Sequence, residues 1–387
     1  MTTEFSIRDV VVIGGGLSGL TAAHALKLRG IDTLILEKEN DVGMPWARRH
    51  PQLTLNTHRD LSSLPGLKYP VGTGAFPKRD SVVAHLRDFR EKHGFDIQCG
   101  VEVFSCRKVD GHFVIETNAG IRRSRHLIVA SGRDAFVCMP KWKGLDTFKG
   151  RVVHAADFGD AMDYTGKSVL VIGGGNSGFD VLNHLSRVKT GQVWLSLRRP
   201  PGLLPKRLGR FAVHRLSPIM AKLPTSYVDK LIGWTQQIAF GDLTRYGFPA
   251  GPSDAATRLA RDNIAIAVDD GAIAGVKRGQ ILVVPEVVAF SGTTVTLADR
   301  RTLEPDVVIA AVGYSSSLTR VLGPLGVVGE NGSQSGVVEL DKSTVEGLWF
   351  VGMKPSLTSY FVEARREAKS IAFSVAAMLA NERSTKQ

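Results

Sequence analysis

The chain has 387 residues, enough for two domains with their own cores, and its 43% hydrophobic and 22% charged residues are ordinary values for a globular protein. No stretch approaches the roughly 18 uninterrupted apolar residues of a membrane span, and the first residues run straight into a strand pattern, so we expect no secretion signal. The net charge is +12 without a recognised nucleic-acid-binding motif, which favours a protein whose ligands carry phosphates.

The first predicted unit reads strand, glycine-rich turn, helix and strand. Val10–Ile13 is a continuous apolar run, which is typical of a strand buried on both faces of a parallel sheet. The turn spans residues 14–19, and the helix pattern runs from Leu20 to Arg29 and is closed by Gly30. The second strand, residues 33–36, ends at Glu37.

The same order of elements returns later, as an approximate internal duplication. An apolar strand over residues 168–172 leads into a second glycine-rich turn, residues 173–178. We predict a helix from about Phe179 to Val188 and then a strand over residues 193–197. This strand ends at the pair Arg198 and Arg199.

Both turns match G-x-G-x-x-G between a strand and a helix, the context in which this motif binds a dinucleotide. The first glycine permits the tight turn, the second lets the backbone approach a pyrophosphate, and the third lets the helix pack on its strand. The helix N-terminus then offers N–H groups and a positive dipole end to the phosphates. The six positions are Gly14, Gly16 and Gly19 in the first turn and Gly173, Gly175 and Gly178 in the second.

The two strand ends differ in charge, and this difference assigns the cofactors. Glu37 can accept hydrogen bonds from two ribose hydroxyls, which suits FAD or NAD. Arg198 and Arg199 cannot accept from hydroxyls, but their planar guanidinium groups suit a 2′-phosphate, so we predict NADPH at the second turn. The alternative for one arginine of the pair is a plain surface charge.

These units predict an α/β protein with two Rossmann-like dinucleotide-binding domains, the second inserted into the first. The expected bounds are residues 1–147 and 301–387 for an FAD-binding domain and 148–300 for an NADPH-binding domain, with a helical insertion at about 200–260. The other expected elements are helices near 81–93 and 361–380 and strands near 101–104, 113–117, 126–130, 281–284, 294–297, 307–311 and 349–351.

The segment before the second glycine-rich turn carries the motif F-x-G-x-x-x-H-x-x-x-[YF]. From Phe148 to Phe158 it reads FKGRVVHAADF, a full match. Here the chain resembles the flavin-containing monooxygenases, in their shorter soluble bacterial and plant-like form. Related Baeyer–Villiger enzymes carry Trp-Pro or Trp-Asp at the end of the motif, where this chain has Phe158-Gly159. We expect His154 to shape the linker between domains rather than to act as an acid or base.

The resemblance covers most of the chain and implies further cofactor-binding residues. The matching segments are GMPW (43–46), LTLNT (53–57), ASG (130–132), AAVGY (310–314) and GLWFVG (347–352). Met353 stands where many other flavin reductases have Asp, so we expect no side-chain contact to the flavin ribityl chain there. Beyond the six glycines, Glu37 and the arginine pair, the expected cofactor-binding residues are Ser18, Lys38, Trp46, Gly132, Asn176, Ser177, Gly313 and Gly352.

The resemblance also implies a reaction. NADPH reduces FAD, the reduced flavin forms a C4a-hydroperoxide with O2, and oxygen passes to a soft nitrogen or sulfur of a small organic substrate or inserts next to a carbonyl. The flavin supplies the reactivity, so no catalytic triad is required. The expected catalytic residues are Asn56 and Asn176, whose amides donate without adding a titrating charge. The alternatives are a turn-stabilising role for Asn56 and a helix N-cap role for Asn176.

Other functions share these cofactors. An NADPH-dependent flavin reductase would pass electrons to a protein partner without oxygenation, and a redox sensor would bind FAD or NADPH without turnover. The sequence identifies neither the substrate nor the oligomeric state.

The remaining signals concern cysteines, metals and charge. Cys99, Cys106 and Cys138 form no C-x-x-C pair, which disfavours a redox-active dithiol and suits a reducing cytoplasm. No histidine pair at ligand spacing is evident near carboxylates, so we expect no metal, and we expect no nucleic-acid partner. Residues 198–222 contain seven Lys or Arg and no Asp or Glu, which indicates either a solvated face or a weak contact with anionic surfaces.

Overall fold

The structure, a computed structural model, describes residues 6–134, 136–251, 254–315, 318–327 and 345–384. Contacts divide the chain into two compact units. The first comprises Met1–Arg48, Arg59–Phe136 and Tyr314–Gln387, and the second comprises Arg49–His58 and Val137–Gly313. Each holds a sheet with parallel central strands together with helices, which confirms the predicted class of two Rossmann-like units, the second inserted into the first. Among the helices in the described ranges, none combines the length and apolar character of a membrane span.

The first unit is built around one seven-stranded sheet. Its strands are β1 (Arg8–Ile13), β2 (Thr33–Glu37), β3 (Asp96–Cys99), β4 (Val103–Val109), β5 (His112–Thr117), β6 (Gly120–Val129) and β21 (Leu348–Phe350), with the two-residue strands β7 (Phe136–Val137) and β20 (Tyr314–Ser315) at the boundary of the units. Its helices are α1 (Leu17–Lys27), α2 (Met44–Ala47), α3 (Arg79–His93), α9 (Leu318–Leu322) and α10 (Tyr360–Ser384).

The order of this sheet is β3-β2-β1-β6-β5-β4, with β21 beside β6. β1 runs parallel to both β2 and β6, whereas β4, β5 and the start of β6 form an antiparallel extension. The apolar run of β1 is fully buried because the sheet is covered on both faces, and α1 packs against α10. The carboxyl ends of β1 and β2 therefore carry the first glycine-rich turn and Glu37 to one edge of the sheet.

The second unit repeats this plan. Its strands are β8 (Arg151–His154), β9 (Val169–Ile172), β10 (Val193–Ser196), β11 (Leu203–Pro205), β12 (Arg207–Leu208), β13 (Phe211–Ala212), β14 (Ala267–Asp269), β15 (Ile281–Val284), β16 (Val287–Ser291), β17 (Thr294–Leu297), β18 (Thr302–Leu303) and β19 (Val307–Ala310). Its helices are α4 (Asn176–Leu185), α5 (Ser217–Met220), α6 (Thr225–Phe240), α7 (Ala255–Asp262) and α8 (Ala272–Lys277).

A five-stranded parallel sheet in the order β15-β10-β9-β19-β8 forms the centre of this unit. A three-stranded antiparallel sheet, β16-β17-β18, packs on one face through Phe290 and Val295, which meet Leu170 and Val308. The other face is covered by α4 and its neighbours, with Phe179 and Leu182 fully buried. A glycine-rich turn follows β9, and the charged pair Arg198 and Arg199 follows the adjacent β10; in the first unit the corresponding features are the first glycine-rich turn and Glu37.

The observed bounds differ from the predicted ones at several points, beginning with the start of the second unit's main stretch at Val137 rather than at residue 148. The second unit extends to Gly313 rather than residue 300, because β19 is paired with both β9 and β8. Residues 49–58, expected in the first unit, pack with the second. The helices after the two turns begin at Leu17 and Asn176, because the last residues of each turn already form the first helical turn.

The insertion at 200–260 is less helical than predicted. It contains α5, α6 and most of α7, but also β11, which pairs with β14, and the β12–β13 hairpin. These strands have two or three residues, too few for an alternating pattern to be recognised in sequence.

A buried histidine in the first unit gives its stability a defined dependence on pH. His85 is 3% exposed, its Nε2 accepts a hydrogen bond from the Leu64 N–H at 3.0 Å, and the Tyr69 ring stacks on it at 4.1 Å. Burial lowers the pKa of His85 from 6.5 to about 4. The folded chain therefore keeps this ring neutral at a pH where the unfolded chain binds a proton, and stability falls as the pH falls from 6.5 towards 4.

We expect this histidine to account for a loss of about 2 kcal/mol in the free energy of unfolding between pH 7 and pH 5. His85→Gln keeps an acceptor for Leu64 but does not titrate, so it should lower the stability at pH 7 and flatten the dependence on pH. Urea denaturation followed by flavin fluorescence measures both. Tyr69→Phe keeps the stacked ring and should retain the wild-type slope; an unchanged slope in His85→Gln would contradict the assignment.

Candidate cofactor-binding site

The first glycine-rich turn has the shape of a pyrophosphate cradle. Gly14 has a φ of +104°, and a Cβ there would lie 2.6 Å from the Ala130 carbonyl oxygen. A Cβ on Gly19 would lie 1.8 Å from the carbonyl oxygen of Gly14, so the helix and the turn can approach only without one. A Cβ on Gly16 would meet nothing within 4 Å, and no side chain caps the helix that Gly16 precedes. The space beside Gly16 is therefore open to a ligand, next to a helix start without a side-chain cap.

Glu37 is placed at the edge of this cradle. Its Oε2 accepts a hydrogen bond from the Gly15 N–H at 2.6 Å, and its Oε1 accepts from the Glu39 N–H at 2.9 Å. Burial raises the pKa of the Glu37 carboxyl, although both backbone hydrogen bonds act in the opposite direction. Because a carboxylate has further acceptor sites on each oxygen, Glu37 can still accept from ribose hydroxyls.

The second turn reproduces the first at each of its three glycine positions. Gly173 has a φ of +116°, and its Cβ would lie 2.4 Å from the Ala311 carbonyl oxygen. A Cβ on Gly178 would lie 1.9 Å from the Gly173 carbonyl oxygen, whereas one on Gly175 would meet nothing within 4 Å. The duplication seen in sequence is therefore a duplication of cradle geometry.

The arginine pair follows the second cradle's neighbouring strand, and both side chains are exposed. Arg198 has an exposed fraction of 76%, and its guanidinium lies 3.7 Å from the Glu286 carboxylate, a contact that a phosphate could replace. A cavity of about 360 Å³ opens beside it, whose walls also include Leu197, Pro249 and Pro285. This cavity, which sequence reasoning missed, offers apolar walls beside a cationic group.

Residues 49–58, here called the 49–58 segment, bring the predicted Asn56 to the second cradle. The Asn56 Nδ2 lies 3.4 Å from the Asn176 Oδ1 and donates to it. Asn176 is the first residue of α4, immediately after Gly175. Within the second unit, the two predicted catalytic residues are therefore in contact. The α4 N-cap is Gly175, without a side-chain bond, so the alternative N-cap role for Asn176 is not observed.

Every second residue of the 49–58 segment makes a polar contact with the rest of the second unit. Gln52 Nε2 donates to Asp160 at 2.8 Å, Thr54 Oγ1 accepts from Lys206 Nζ at 2.7 Å, and the His58 N–H donates to His214 Nδ1 at 3.1 Å. The polar residues at even positions alternate with Leu53 and Leu55. This period of two was the available sequence signal for an extended segment.

His50, at the start of the 49–58 segment, belongs to a buried cluster. Its Nε2 lies 2.7 Å from Asp180 Oδ2, and His184 Nε2 lies 3.6 Å from Asp180 Oδ1. Burial alone would raise the pKa of Asp180, but the hydrogen bonds from His184 and His50 hold it well below its usual range. The ligand atoms lie within 4.8 Å of one another, an arrangement that could hold a metal ion. The missed signal was the i, i+4 spacing of Asp180 and His184.

Lys206, counted in the basic stretch, is not a surface cation. It is 5% exposed and contacts Thr54 and Asp270. Burial lowers the pKa of its ammonium, and the nearby Asp270 carboxylate opposes this. The expectation that all seven cations of residues 198–222 form one face is therefore wrong at this position.

The motif residues from Phe148 to Phe158 have structural contacts. A Cβ on Gly150 would lie 2.6 Å from the Phe148 ring, and Phe158 stacks on Tyr164 at 5.0 Å. His154 is 3% exposed; its Nδ1 accepts from the Ala156 N–H, and its Nε2 is 3.0 Å from the Gly313 carbonyl oxygen. These contacts all lie within the second unit, and the linker role expected for His154 stays a prediction.

The other predicted cofactor residues lie in varied surroundings. Gly352 has a φ of +70°, and its Cβ would lie 2.0 Å from Ser18 Oγ, so these two positions of the first unit meet. Lys38 is exposed, with its Nζ 5.9 Å from the Phe136 ring. Met353 is 6% exposed and lies in the first unit's hydrophobic core. Half-buried positions hold Trp46 in α2, Gly132 after β6, Ser177 in α4 and Gly313 after β19.

Comparison with known protein families identifies the family of this chain. Residues 123–331 match the flavin-binding monooxygenase-like family, and residues 11–202 match the pyridine nucleotide-disulphide oxidoreductases. The first match covers more than half of the chain. The chain therefore belongs to the flavin-binding monooxygenase-like family, and it is a flavin-dependent monooxygenase.

Individual relatives agree with this family. The probable indole-3-pyruvate monooxygenase YUCCA3 of Arabidopsis thaliana is 29% identical over 332 residues, which are 81% of this chain and 74% of that protein. The uncharacterized oxidoreductase CzcO of Bacillus subtilis is 26% identical over 351 residues, 89% of this chain and 91% of that protein. A mutant flavin monooxygenase from Stenotrophomonas maltophilia has a TM-score of 0.75 at 24% identity, covering 96% of this chain and 98% of its own.

FAD and NADPH are the cofactors of this enzyme class, and the two cradles fit two dinucleotides. In each, the second glycine leaves open space where a pyrophosphate would lie, and the helix start lacks a side-chain cap. The neighbouring strand ends at the acidic Glu37 in one unit, and in the other it ends at Ser196 and is followed, after Leu197, by two basic residues.

Proposed function

We propose that this enzyme uses NADPH and O2 to oxygenate a small organic substrate at a soft nitrogen or sulfur, or at a carbon next to a carbonyl. The observation that carries this proposal is the pair of matched cradles with strand ends of opposite charge. Two cradles give the hydride donor and the flavin a binding site each. The name of the plant relatives, indole-3-pyruvate monooxygenases, supports including 2-oxo acids among the candidates.

Each cradle is assigned one cofactor. The Gly16 turn would hold the FAD pyrophosphate, with Glu37 on the adenosine ribose. The Gly175 turn would hold the NADPH pyrophosphate, with Arg198 and Arg199 on its 2′-phosphate. Bound FAD supplies hydride acceptance and O2 activation; the protein's share is binding, orientation and exclusion of water.

Asn56 and Asn176 are the proposed polar groups nearest the chemistry. Their 3.4 Å contact ties the 49–58 segment to the start of α4. The amide of Asn56 has a second N–H for a ligand, and neither side chain changes charge with pH. Proximity of Asn56 to the reacting atoms rests on the family resemblance.

The second candidate is a reductase that transfers electrons to a partner without oxygenation. Bacillithiol disulfide reductase from Staphylococcus aureus shares the fold, with a TM-score of 0.67 at 20% identity over 97% of this chain and 99% of its own. A shared fold does not fix the reaction.

Screening NADPH consumption with amines, sulfides, ketones and 2-oxo acids tests the proposal. With ¹⁸O2, the product of the accepted substrate should carry one labelled oxygen per NADPH consumed. Consumption that is stimulated only by an electron acceptor, with no label in any organic product, would favour the reductase.

Asn56→Leu should retain flavin but raise the fraction of NADPH that ends as hydrogen peroxide, by on the order of tenfold, because a donor near the developing charge is lost. Peroxide and product assays at equal NADPH consumption measure this. Gln52→Leu, in the same segment, breaks only the contact with Asp160 and should stay coupled. Equal uncoupling in both variants would mean that displacement of the 49–58 segment causes the effect, and not loss of the Asn56 amide. Unchanged coupling in Asn56→Leu would remove Asn56 from the site.

A further inference from the structure

Helix α6 carries an apolar stripe on its exposed face. Tyr227, Leu231, Trp234 and Ile238 are 62%, 39%, 72% and 78% exposed. Their spacings of four, three and four residues place them on one side of the helix. The opposite side is buried, with Val228, Ile232 and Phe240 in the interior of the second unit. The stripe therefore lies outside the buried core of the unit.

A second exposed apolar group lies earlier in the same segment. In the β12–β13 hairpin, Leu208 pairs with Phe211, and the two are 40% and 44% exposed. The turn between them is Gly209-Arg210. Paired apolar and basic residues at a hairpin tip suit the boundary between lipid headgroups and acyl chains.

The charges around these apolar groups have one sign. Along the chain, the hairpin and the stripe are accompanied by exposed cations at Arg207, Arg210, Arg215, Lys222 and Lys230. The acidic residue next along the chain, Asp229, is 9% exposed and accepts a hydrogen bond from the Ala256 N–H at 2.7 Å. The next one after it is Asp242. Within the described residues of this segment, the solvent-facing charge is therefore positive.

The positive charge favours an anionic phospholipid surface over a second copy of the chain as the partner. A second copy of the chain would bring the same cations close to one another, in a protein whose net charge is already +12. An anionic phospholipid surface would instead pair the cations with phosphates while Trp234 and Ile238 entered the headgroup region, and each basic residue near such a surface contributes about 1 kcal/mol.

We propose that residues 207–238 bind anionic phospholipid membranes peripherally, through the α6 stripe and the basic hairpin. This inference is independent of the proposed reaction, because it uses none of the residues assigned to either cofactor. It defines the weak anionic-surface contact expected from sequence more narrowly: Lys206 is excluded, and α6 is included.

The test is co-sedimentation of the flavin-loaded enzyme with vesicles of phosphatidylglycerol and phosphatidylcholine, compared with phosphatidylcholine alone. We expect binding to the anionic vesicles only, weakened by high salt. Trp234→Ala/Ile238→Ala and Arg207→Glu/Arg210→Glu should each weaken binding by about tenfold or more. Flavin content and NADPH binding of both variants should be those of the wild type.

Matched controls come from exposed residues elsewhere. Phe373 is 69% exposed on α10, so Phe373→Ala removes a comparable apolar side chain, and Lys277→Glu/Arg278→Glu reverses two exposed charges. Both should bind vesicles like the wild type. Equal binding to neutral vesicles, no binding to either, or equal losses in the controls would overturn the proposal. So would sedimentation equilibrium showing a dimer that only the Trp234→Ala/Ile238→Ala variant loses, since a second copy would then be the partner.

Discussion

Gly175→Ala should weaken NADP⁺ binding by about 100-fold while the protein retains its flavin. Gly16→Ala should lose flavin while NADP⁺ binding is retained. At both positions a Cβ meets no protein atom within 4 Å, so the added methyl group leaves the fold intact. It occupies the space that a pyrophosphate needs against the backbone. The effect should therefore separate by cofactor, each substitution acting on its own unit.

Flavin absorbance of the purified variants and calorimetric titration with NADP⁺ measure the two outcomes. Gly323→Ala is the matched control, because a Cβ there also meets nothing within 4 Å and the position lies outside both cradles. If Gly175→Ala lost flavin and kept NADP⁺ affinity, the assignment of the cofactors would be reversed. If neither variant lost a cofactor, the turns would not be the binding sites.

Replacing Arg198 and Arg199 together by Ala should raise the KM for NADPH by about 100-fold and leave the KM for NADH nearly unchanged. Each hydrogen bond to a charged group contributes about 1.5–3 kcal/mol, and only NADPH carries the 2′-phosphate. The pair is exposed and carries no core packing, so the stability of the variant should match the wild type. Steady-state kinetics with both nucleotides gives the ratio directly.

The single variants Arg198→Ala and Arg199→Ala show how much each arginine contributes to NADPH binding. Arg198 lies beside the cavity and near Glu286, so we expect Arg198→Ala to account for most of the effect. Lys277→Ala, a surface cation of the same unit, should change neither KM. A wild-type enzyme that prefers NADH, or equal losses for both nucleotides in the double variant, would contradict the 2′-phosphate role.

The parts of the site that the sequence predicts are those whose causes are local. A glycine turn between an apolar strand and a helix needs only contiguous residues, and Glu37 and Arg198 are found by counting to the next strand end. The contact of Asn56 with Asn176 joins positions 120 apart, and only the family resemblance brought attention to both. His50 was missed because its partner Asp180 lies on a helix far along the chain.

Burial explains the remaining differences. Lys206 reads as one cation among several, and nothing in its neighbours signals that Thr54 and Asp270 enclose it. The end of the second unit was placed too early because β19 is an isolated apolar run, equally suited to either sheet. Its pairing with β9 and β8 is a property of the assembled sheet.

The 49–58 segment has a consequence for recombining this enzyme with its relatives. The second unit is discontinuous in sequence: ten of its residues, 49–58, lie between two stretches of the first unit. A chimera that exchanges only residues 137–313 would place a foreign partner opposite His50, Gln52, Thr54 and Asn56. Exchange cassettes should therefore carry two pieces of coding sequence, and crossover points at either side of residues 49–58 are the ones that keep this unit whole.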